Sequence, residues 1–319
     1  MSAGKLRFVS ADEIDSILDF PSLIDALHAA FRADIETPLR HHHAIAREGG
    51  EAALLLMPAW TKEKDGSFLG TKTVTVFPGN LARGLGSVAG TYLLMSGDTG
   101  EPLVTIDGHR LTLWRTAAAS ALAARYLARG DASHLLLIGA GALAPYLARA
   151  HAAVRPIKKV SIWNRTQARA EALTEELSGE AFETEVVSDK EVATRHADII
   201  TCITLSQTPV LEGEWLKPGA HVDLVGAFRP NTREADDAAI KRSRIYVDTR
   251  RGALKEAGDL MMPMATGILK EPDVQGDLFD LCRGQAKGRV TSEEITLFKS
   301  VGTAIEDLAA AMLVWKKLA

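Results

Sequence analysis

One stretch of this chain, residues 134–166, restricts its fold more than any other. It opens with a short apolar run, Leu135 to Ile138, that ends in glycine and is typical of a parallel strand buried on both faces. Gly139, Gly141 and Ala144 follow at the spacing G-x-G-x-x-A, and after them come a helical pattern and a second strand-like run. This order of strand, glycine turn, helix and strand predicts a dinucleotide-binding unit.

The small residues of this motif each have a physical reason. The first glycine permits a tight turn, the second lets a pyrophosphate approach the backbone, and the third small residue lets helix and strand pack closely. The helix that follows offers free N–H groups and the positive end of its dipole to phosphate. A plain strand–helix turn is the alternative for such glycines. We predict that Gly139, Gly141, Ala142 and Leu143 contact the cofactor.

The residues at the end of the second strand, Asn164-Arg165-Thr166, indicate which dinucleotide binds. Units that bind NAD usually place an Asp or Glu there to hold the ribose 2′-hydroxyl. Here no carboxylate is present to repel a 2′-phosphate, and Arg165 is available to pair with one. The alternative is that Arg165 is a solvated loop residue. We therefore predict NADPH as the cofactor, with NADH as a second choice.

Length and composition restrict the class of protein. The chain has 319 residues, enough for two domains with sizeable cores, and its 46% hydrophobic and 24% charged residues are an ordinary globular balance. A net charge of −4 gives no reason to expect nucleic acid. No apolar run reaches the length of a membrane span, and the N-terminus lacks a signal-peptide core, so we expect a cytoplasmic protein. Cys202 and Cys282 are too few for a disulfide framework.

The pattern along the chain predicts an α/β fold in two parts. Before residue 109, several strands with tight turns suggest a mostly antiparallel sheet, whereas after Gly130 strands alternate with helices, as in a parallel doubly wound sheet. The last helix follows a glycine break and is expected to return to the first part. We predict a substrate domain from residues 1–125 plus 303–319, and a Rossmann NAD(P)-binding domain from residues 126–302.

Three local signals refine this pattern. Ser10 is a candidate N-cap, with Glu13 three residues later to complete a capping box. The strand predicted for residues 52–57 is expected to stop at Pro58. A helix is predicted for residues 109–129, with Thr112 as a candidate cap.

Function must come from what faces the nicotinamide, and three cations are candidates for that wall. Lys72 lies among valines on a predicted strand, which means either a solvated strand edge or a lined cavity. Arg115 lies among alanines early in a helix, where it needs an acidic partner, a path to water or an anionic ligand. Arg40 is the third. Because no acid is evident beside them, they suggest a small anionic substrate, most simply a carboxylate held by arginine.

Other chemistries find little support in the sequence. His41, His42 and His43 are consecutive, so on an extended chain they alternate between faces and cannot easily meet one ion, and no metal site is predicted. No Ser/His/Asp arrangement and no nucleophilic cysteine setting is evident. Hydride transfer is then the natural reaction, because the cofactor supplies the chemistry. The strand ends at Thr204, Leu205 and Val225 are expected beside the cofactor.

Taken together, the motifs of this chain resemble the ornithine cyclodeaminase/μ-crystallin family over nearly its whole length. The resemblance rests on Gly70-Thr-Lys72 with Phe77-Pro-Gly-Asn80, Arg115-Thr-Ala-Ala-Ala-Ser120, Gly139-Ala-Gly141, Asn164-Arg-Thr166, Gly213-Glu-Trp-Leu-Lys-Pro-Gly219, Val225-Gly-Ala with Arg229-Pro230, and Phe298 to Asp307. It implies a central Rossmann domain, an α+β domain that dimerises and is built from both chain ends, and a homodimer.

The resemblance also implies roles for individual residues. Lys72 and Arg115 are the expected catalytic residues. The expected substrate-binding residues are Arg40, Met57, Lys72, Arg115 and Phe228. The expected cofactor-binding residues are Ser87, Arg115, Gly139, Gly141, Ala142, Leu143, Asn164, Arg165, Thr166, Thr204, Leu205, Val225, Lys299, Ser300 and Gly302.

One departure from the family pattern concerns the reaction. Cyclodeaminases carry an aspartate shortly after the Val-Gly of the strand at 221–226, and the matching residue here is Phe228. An apolar residue there suits a cyclic imine better than a charged amino acid. The imine-reducing members imply reduction of Δ1-pyrroline-2-carboxylate to L-proline, or of Δ1-piperideine-2-carboxylate to L-pipecolate, in proline metabolism or hydroxyproline degradation. An ornithine cyclodeaminase, an alanine dehydrogenase-like enzyme and a non-enzymatic ligand-binding protein of μ-crystallin type remain the alternatives.

Overall fold

A computed structural model describes residues 6–47, 52–63 and 66–318. The chain divides into two compact units, unit 1 from Met1–Thr116 with Thr303–Ala319, and unit 2 from Ala117–Gly302. Both contain helices and strands. A membrane-crossing helix is absent from the described residues.

Unit 1 contains both strands and helices, and one of its helices continues beyond its border. In chain order its elements are β1 (Arg7–Val9), α1 (Ala11–Ile17), α2 (Phe20–Arg32), β2 (Ile35–Glu36), β3 (His41–Ile45), β4 (Ala52–Thr61), β5 (Phe68–Val76), a 3₁₀ helix (Pro78–Arg83), β6 (Val88–Ser96), β7 (Pro102–Asp107) and α3 (Gly108–Leu127). The last helix of the chain, α11 (Ala304–Leu318), also belongs to this unit.

The seven strands of unit 1 form one sheet in the order β1-β7-β6-β5-β4-β2, with β3 also paired to β4. All neighbours are antiparallel except β1 and β7. Met57, Lys72, Tyr92 and Ile106 lie directly opposite one another across four strands, so they share one face. All four are buried, and α11 packs over β4, β5 and β6. Lys72 is thus the charged member of an otherwise apolar row.

Unit 2 alternates strands and helices. Its elements are β8 (His134–Ile138), α4 (Ala144–Ala152), β9 (Lys159–Trp163), α5 (Gln167–Glu176), β10 (Glu183–Val186), α6 (Lys190–His196), β11 (Ile199–Cys202), a 3₁₀ turn (Gly213–Trp215), β12 (His221–Leu224), α7 (Asp237–Arg242), β13 (Ser243–Val247), α8 (Arg250–Glu256), α9 (Gly258–Ala265), a 3₁₀ turn (Glu271–Asp273), β14 (Val274–Asp277), α10 (Leu278–Cys282) and β15 (Ile295–Lys299).

The eight strands of unit 2 form a parallel sheet in the order β10-β9-β8-β11-β12-β15-β13-β14. Leu135 to Ile138 of β8 are all 0% exposed, as expected for a strand covered on both faces. The chain moves outward from β8 to β9 on one side and later to β11 on the other. The carboxyl end of β8 is therefore a topological switch point, where doubly wound sheets bind ligands. The predicted α/β class with a parallel doubly wound sheet is confirmed.

Some local expectations are wrong for identifiable reasons. The strand β4 does not stop at Pro58 but continues to Thr61. Pro58 lies between the residues that pair with β3 and those that pair with β2, where a missing N–H is tolerated. Thr112 does not cap α3, because the helix already begins at Gly108, whose carbonyl accepts the Thr112 hydroxyl.

The start of the chain also differs in part. Ser10 caps α1 as predicted, since its hydroxyl accepts the Glu13 N–H at 3.3 Å. The Glu13 side chain, however, pairs with Arg7. The helix α1 ends at Ile17. Asp19 then caps the separate helix α2 by accepting the Ser22 N–H at 2.8 Å.

Candidate active site

The glycine turn after β8 has the shape that a dinucleotide phosphate needs. Gly139 has φ +120°, a conformation that L side chains rarely adopt, and a Cβ there would lie 2.8 Å from the Ile203 carbonyl oxygen. Its N–H donates to Trp163 O at 2.8 Å, which ties the turn to the end of β9. A Cβ on Gly141, by contrast, would meet no atom within 4 Å. The turn is fixed at its first glycine and open at its second, so it fits a pyrophosphate.

The segment after β9 is braced to this turn by Asn164. Its side-chain oxygen accepts the Ala140 N–H at 3.2 Å, and its side-chain nitrogen donates to Thr166 O at 2.8 Å. The glycine turn after β8 and the segment after β9 are thereby joined. Arg165, between them in sequence, is exposed. An exposed guanidinium without an adjacent loop carboxylate fits a 2′-phosphate.

The segments after β11 and β12 form the next part of this edge of the sheet. Thr204 is half-buried, Leu205 is 62% exposed and Val225 is 6% exposed. Phe228 follows in the same loop as Val225, is 39% exposed and carries the Arg229 guanidinium 5.6 Å from its ring centre. The loop after β12 thus presents a partly exposed aromatic side chain at this position.

One residue of the predicted cofactor set has a different environment from that expected. Lys299, at the end of β15, is 0% exposed, and its Nζ lies 3.1 Å from Asp259 Oδ2. It therefore has no surface to offer a cofactor, and a fully buried lysine must satisfy its charge internally. Ser300 is 3% exposed, and the Gly302 N–H donates to the buried Asp248 carboxylate at 2.7 Å.

Unit 1 contains a buried cluster of charges around Lys72. Lys72 Nζ donates to Asp307 Oδ1 at 2.8 Å and to Thr112 Oγ1 at 3.3 Å. Arg115 donates from Nε to Asp307 Oδ1 at 3.0 Å and from Nη1 to Glu306 Oε2 at 2.6 Å. The four charged side chains are 7% exposed or less. We call Lys72, Arg115, Glu306 and Asp307 the charge cluster.

The charge cluster corrects the expectation that no acid lies beside the cations. Glu306 and Asp307 in the first turn of α11 balance Arg115 and Lys72, so the cluster carries as many negative as positive charges. The pairing joins residues 235 and 192 positions apart, which no local pattern reveals. One signal was present in the sequence, because two adjacent acids in a helix of otherwise buried alanines and aliphatic residues require partners.

Burial controls the electrostatics of the cluster. It lowers the pKa of Lys72 from 10.5 to about 8, with the Arg115 guanidinium acting in the same direction and Asp307 and Glu306 opposing it. For Arg115, burial opposes the charged form, but Asp307 and Glu306 together raise the pKa. Arg115 therefore stays charged, whereas Lys72 can release and accept a proton close to neutral pH.

The remaining predicted residues of unit 1 lie on different elements. Met57 is 5% exposed and faces Lys72 directly across the β4–β5 pair. Arg40 is half-buried on the connection between β2 and β3. Ser87 is half-buried just before β6, and its carbonyl accepts the Phe77 N–H at 2.7 Å. His41, His42 and His43 are exposed on β3, and the described residues contain no group of three ligands placed to hold a metal.

The sequence is similar to known proteins along nearly its whole length. Residues 6–319 match the model of the ornithine cyclodeaminase/mu-crystallin family. The chain is 39% identical over 321 residues to the Delta(1)-pyrroline-2-carboxylate reductase of Colwellia psychrerythraea, and the alignment covers 98% of this chain and 100% of that protein.

Two solved structures share the fold. The Delta(1)-pyrroline-2-carboxylate reductase of Thermococcus litoralis, in complex with NADH and L-proline, matches with a TM-score of 0.91 at 33% identity, covering 98% of this chain and 97% of that one. An archaeal alanine dehydrogenase dimer with bound NAD matches with a TM-score of 0.88 at 30% identity, covering 98% and 95%.

Proposed function

The chain belongs to the ornithine cyclodeaminase/mu-crystallin family, and from this premise we propose that it is an NAD(P)H-dependent reductase of cyclic ketimine carboxylates. The first substrate would be Δ1-pyrroline-2-carboxylate, reduced to L-proline, and the second Δ1-piperideine-2-carboxylate, reduced to L-pipecolate. A relative at 39% identity and a solved structure with a TM-score of 0.91 are both Delta(1)-pyrroline-2-carboxylate reductases.

The observation that carries the proposal is the buried pair of cations, Lys72 and Arg115. Buried ion pairs are often less stabilising than apolar side chains of similar size, so four buried charges are weak evidence for a purely structural role. They match a small substrate that has both a carboxylate and a basic nitrogen. Residue 228 is a phenylalanine and not an acid, which favours an imine substrate over a charged amino acid such as ornithine.

Arg115 has donors left for a substrate carboxylate. Its Nε and Nη1 are engaged by Asp307 and Glu306, and among the described residues its Nη2 has no hydrogen-bond partner. The two acids also fix the plane of the guanidinium, so its remaining N–H groups point in a constant direction. A planar guanidinium held in this way binds a carboxylate with strong charge-assisted hydrogen bonds.

Lys72 is placed to manage the proton of the reaction. NAD(P)H, when bound, would supply the hydride that reduces the imine carbon. The imine nitrogen must carry a proton when the hydride arrives, and Lys72 Nζ, with a pKa of about 8, can donate it. Asp307, 2.8 Å away, holds the ammonium group and favours its recharging from water.

The cofactor and the organisation of the protein complete the proposal. The glycine turn and Asn164 fit a dinucleotide, and Arg165 supports NADPH over NADH. Unit 2 would be the Rossmann NAD(P)-binding domain and unit 1 the substrate and dimerisation domain, with Arg40, Met57 and Phe228 as further substrate contacts. We further propose a cytoplasmic homodimer that acts in proline metabolism, including hydroxyproline degradation. The dimer of the archaeal alanine dehydrogenase supports the homodimer alone.

The proposal is tested by NADPH and NADH oxidation in the presence of each cyclic imine. We expect turnover with at least one imine and formation of the corresponding cyclic amino acid. A folded, dinucleotide-bound chain that reduces neither imine would contradict the proposal. Ornithine is the control substrate, because ammonia release from it would instead indicate a cyclodeaminase.

Reductive amination of a 2-oxo acid is the second candidate. It is favoured by the fold shared with an archaeal alanine dehydrogenase at 30% identity. Pyruvate with ammonia and NADH provides the test, and a higher kcat/KM for this pair than for the cyclic imines would make it the principal activity. A chain that binds ligands without any turnover would correspond to the non-enzymatic alternative of μ-crystallin type.

A further inference from the structure

Glu234 lies beside the segments that follow β11 and β12 in unit 2, and its carboxylate accepts four hydrogen bonds from them. It is 0% exposed. One oxygen, Oε1, accepts from the backbone N–H and the hydroxyl of Thr204, the latter at 2.9 Å. The other, Oε2, accepts the N–H groups of Gly226 at 2.8 Å and Ala227 at 3.1 Å. Each oxygen therefore holds a different segment of the chain.

The two segments lie just beyond the carboxyl ends of β11 and β12, which are neighbours in the sheet. A Cβ on Gly226 would lie 2.0 Å from Thr204 O, so the two segments are in direct backbone contact there. The β11 segment also borders the glycine turn, since a Cβ on Gly139 would meet Ile203 O at 2.8 Å. Ligands of doubly wound sheets bind at this edge. The Glu234 carboxylate thus joins two segments at the edge of the sheet where a dinucleotide is expected.

Glu234 is itself anchored in the interior of unit 2. Asp259 Oδ1 accepts the N–H groups of Glu234 at 2.8 Å and of Ala235 at 3.1 Å. Asp259 is 0% exposed and ion-paired with Lys299. A continuous buried chain therefore runs from Lys299 through Asp259 to Glu234 and on to the crevice. This gives Lys299 an indirect connection to the cofactor in place of the expected contact.

The arrangement is costly if its purpose is only structural. Burial raises the pKa of Glu234 to about 7, Lys299 opposes the rise, and Asp259 adds to it. Removing two carboxylates from water is costly, and the hydrogen-bond donors and a single lysine must offset that cost. Buried groups of this kind cluster at functional sites, so the cost favours a functional role for Glu234 over a purely structural one.

We propose that Glu234 is a positioning residue for the dinucleotide, which joins the segments after β11 and β12 so that their backbone is preorganised to receive the cofactor. This inference rests on the dinucleotide binding of the proposed function. It concerns cofactor affinity and makes no use of the imine substrate.

The test is direct NADPH binding, measured by fluorescence titration, to the wild type, Glu234→Gln and a control. Glutamine keeps the shape but turns a donor amide toward backbone N–H groups, so at least two donors lose their acceptor. We expect the Kd of NADPH to rise by about tenfold or more, because unsatisfied buried groups cost on the order of 1.4 kcal/mol or more. The KM for NADPH should rise in parallel, while kcat at saturating cofactor falls less.

The matched control is Asp236→Ala, two residues away. Asp236 Oδ1 also accepts two backbone N–H groups, from Gly213 and Ala239, each at 2.8 Å. These lie at the 3₁₀ turn and at the start of α7, not at the ends of β11 and β12. Alanine removes the shared acceptor, so we expect a comparable loss of Tm in both variants, with the Kd of Asp236→Ala staying within about twofold of the wild type.

A second variant keeps the inference testable if Glu234→Gln does not fold. Glu234→Asp retains the charge but is one methylene shorter, so it reaches one segment only, and we expect weaker NADPH binding together with faster exchange of the Gly226 and Ala227 amides. Unchanged NADPH affinity in the folded variants would overturn this inference alone. A wild-type chain that binds neither NADPH nor NADH would overturn the proposed function and this inference with it.

Discussion

Lys72 illustrates at the residue scale how a buried charge is tuned by its neighbours. Its row partners Met57 and Tyr92 bring no charge, and the charged groups around it come from α3 and α11. Burial and Arg115 lower its pKa to about 8, and Asp307 and Glu306 limit the decrease. In the proposed mechanism, the four residues of the charge cluster would control both how a carboxylate binds and when a proton is available.

We predict that kcat falls as pH rises through about 8, since Lys72 then loses the proton that it donates. The contribution of Lys72 to the free energy of unfolding changes with pH in the opposite direction. The folded pKa lies below the unfolded value, the unfolded chain binds more protons between the two, and this group's contribution to stability rises with pH there. A kcat–pH profile together with unfolding at each pH separates the two effects.

The Asp307→Asn variant tests the assignment of this pH dependence. Loss of the carboxylate removes the strongest favourable neighbour of Lys72, so the descending limb of the profile should move to lower pH. Glu306→Gln is the control and should move the limb less, because Glu306 contacts Arg115 and affects Lys72 only weakly. An unchanged limb in Asp307→Asn would show that another group titrates.

Arg165 is the residue that we predict to determine the choice of cofactor. We expect Arg165→Ala to raise the KM for NADPH by about 10- to 100-fold and to change that for NADH much less, because one charge-assisted contact to the 2′-phosphate is lost. The control is Arg169→Ala, an exposed arginine on α5. Equal losses with both cofactors would remove the 2′-phosphate assignment.

At the scale of elements, the glycine turn between β8 and α4 combines one strained and one open position. Gly139 needs its positive φ and has Ile203 O nearby, whereas a methyl group added at Gly141 would meet no atom within 4 Å and would need no positive φ. The first glycine therefore serves the fold, and the second leaves space for a ligand.

We predict that Gly141→Ala folds with a Tm at or slightly above that of the wild type and loses dinucleotide affinity. The methyl group meets no protein atom, reduces the entropy of the unfolded chain and occupies the space for the pyrophosphate. Gly130→Ala is the control, because it is equally open and lies before β8. Calorimetry and NADPH titration provide the two readouts, and unchanged NADPH affinity would argue against the assigned phosphate position.

At the scale of the whole molecule, the two units differ in how well the sequence describes them. Unit 2 follows from local patterns, since each strand–helix repeat is contiguous in sequence. In unit 1, by contrast, α11 packs on β4, β5 and β6 although it starts at Ala304, more than 200 residues later in the sequence. Family membership gives the prediction of a homodimer at this scale.

Light scattering after size-exclusion chromatography tests the homodimer. We expect a mass of about twice the 34.3 kDa of one chain, as for other symmetric two-fold assemblies. The measurement is made at several protein concentrations, with and without NADPH. A mass of one chain throughout would contradict a stable dimer.

Features that depend on neighbouring residues can be read directly from this sequence. The order of β8, the glycine turn, α4 and β9, the missing carboxylate at Asn164-Arg165-Thr166, and the family resemblance are all of this kind, because backbone conformation and motif spacing are local. The partners of the buried charges emerge only once the chain is folded. Glu306 and Asp307 reach Arg115 and Lys72, and Lys299 turns away to Asp259, because in a low-dielectric interior each charge must find the nearest opposite charge in space, whatever its distance along the chain.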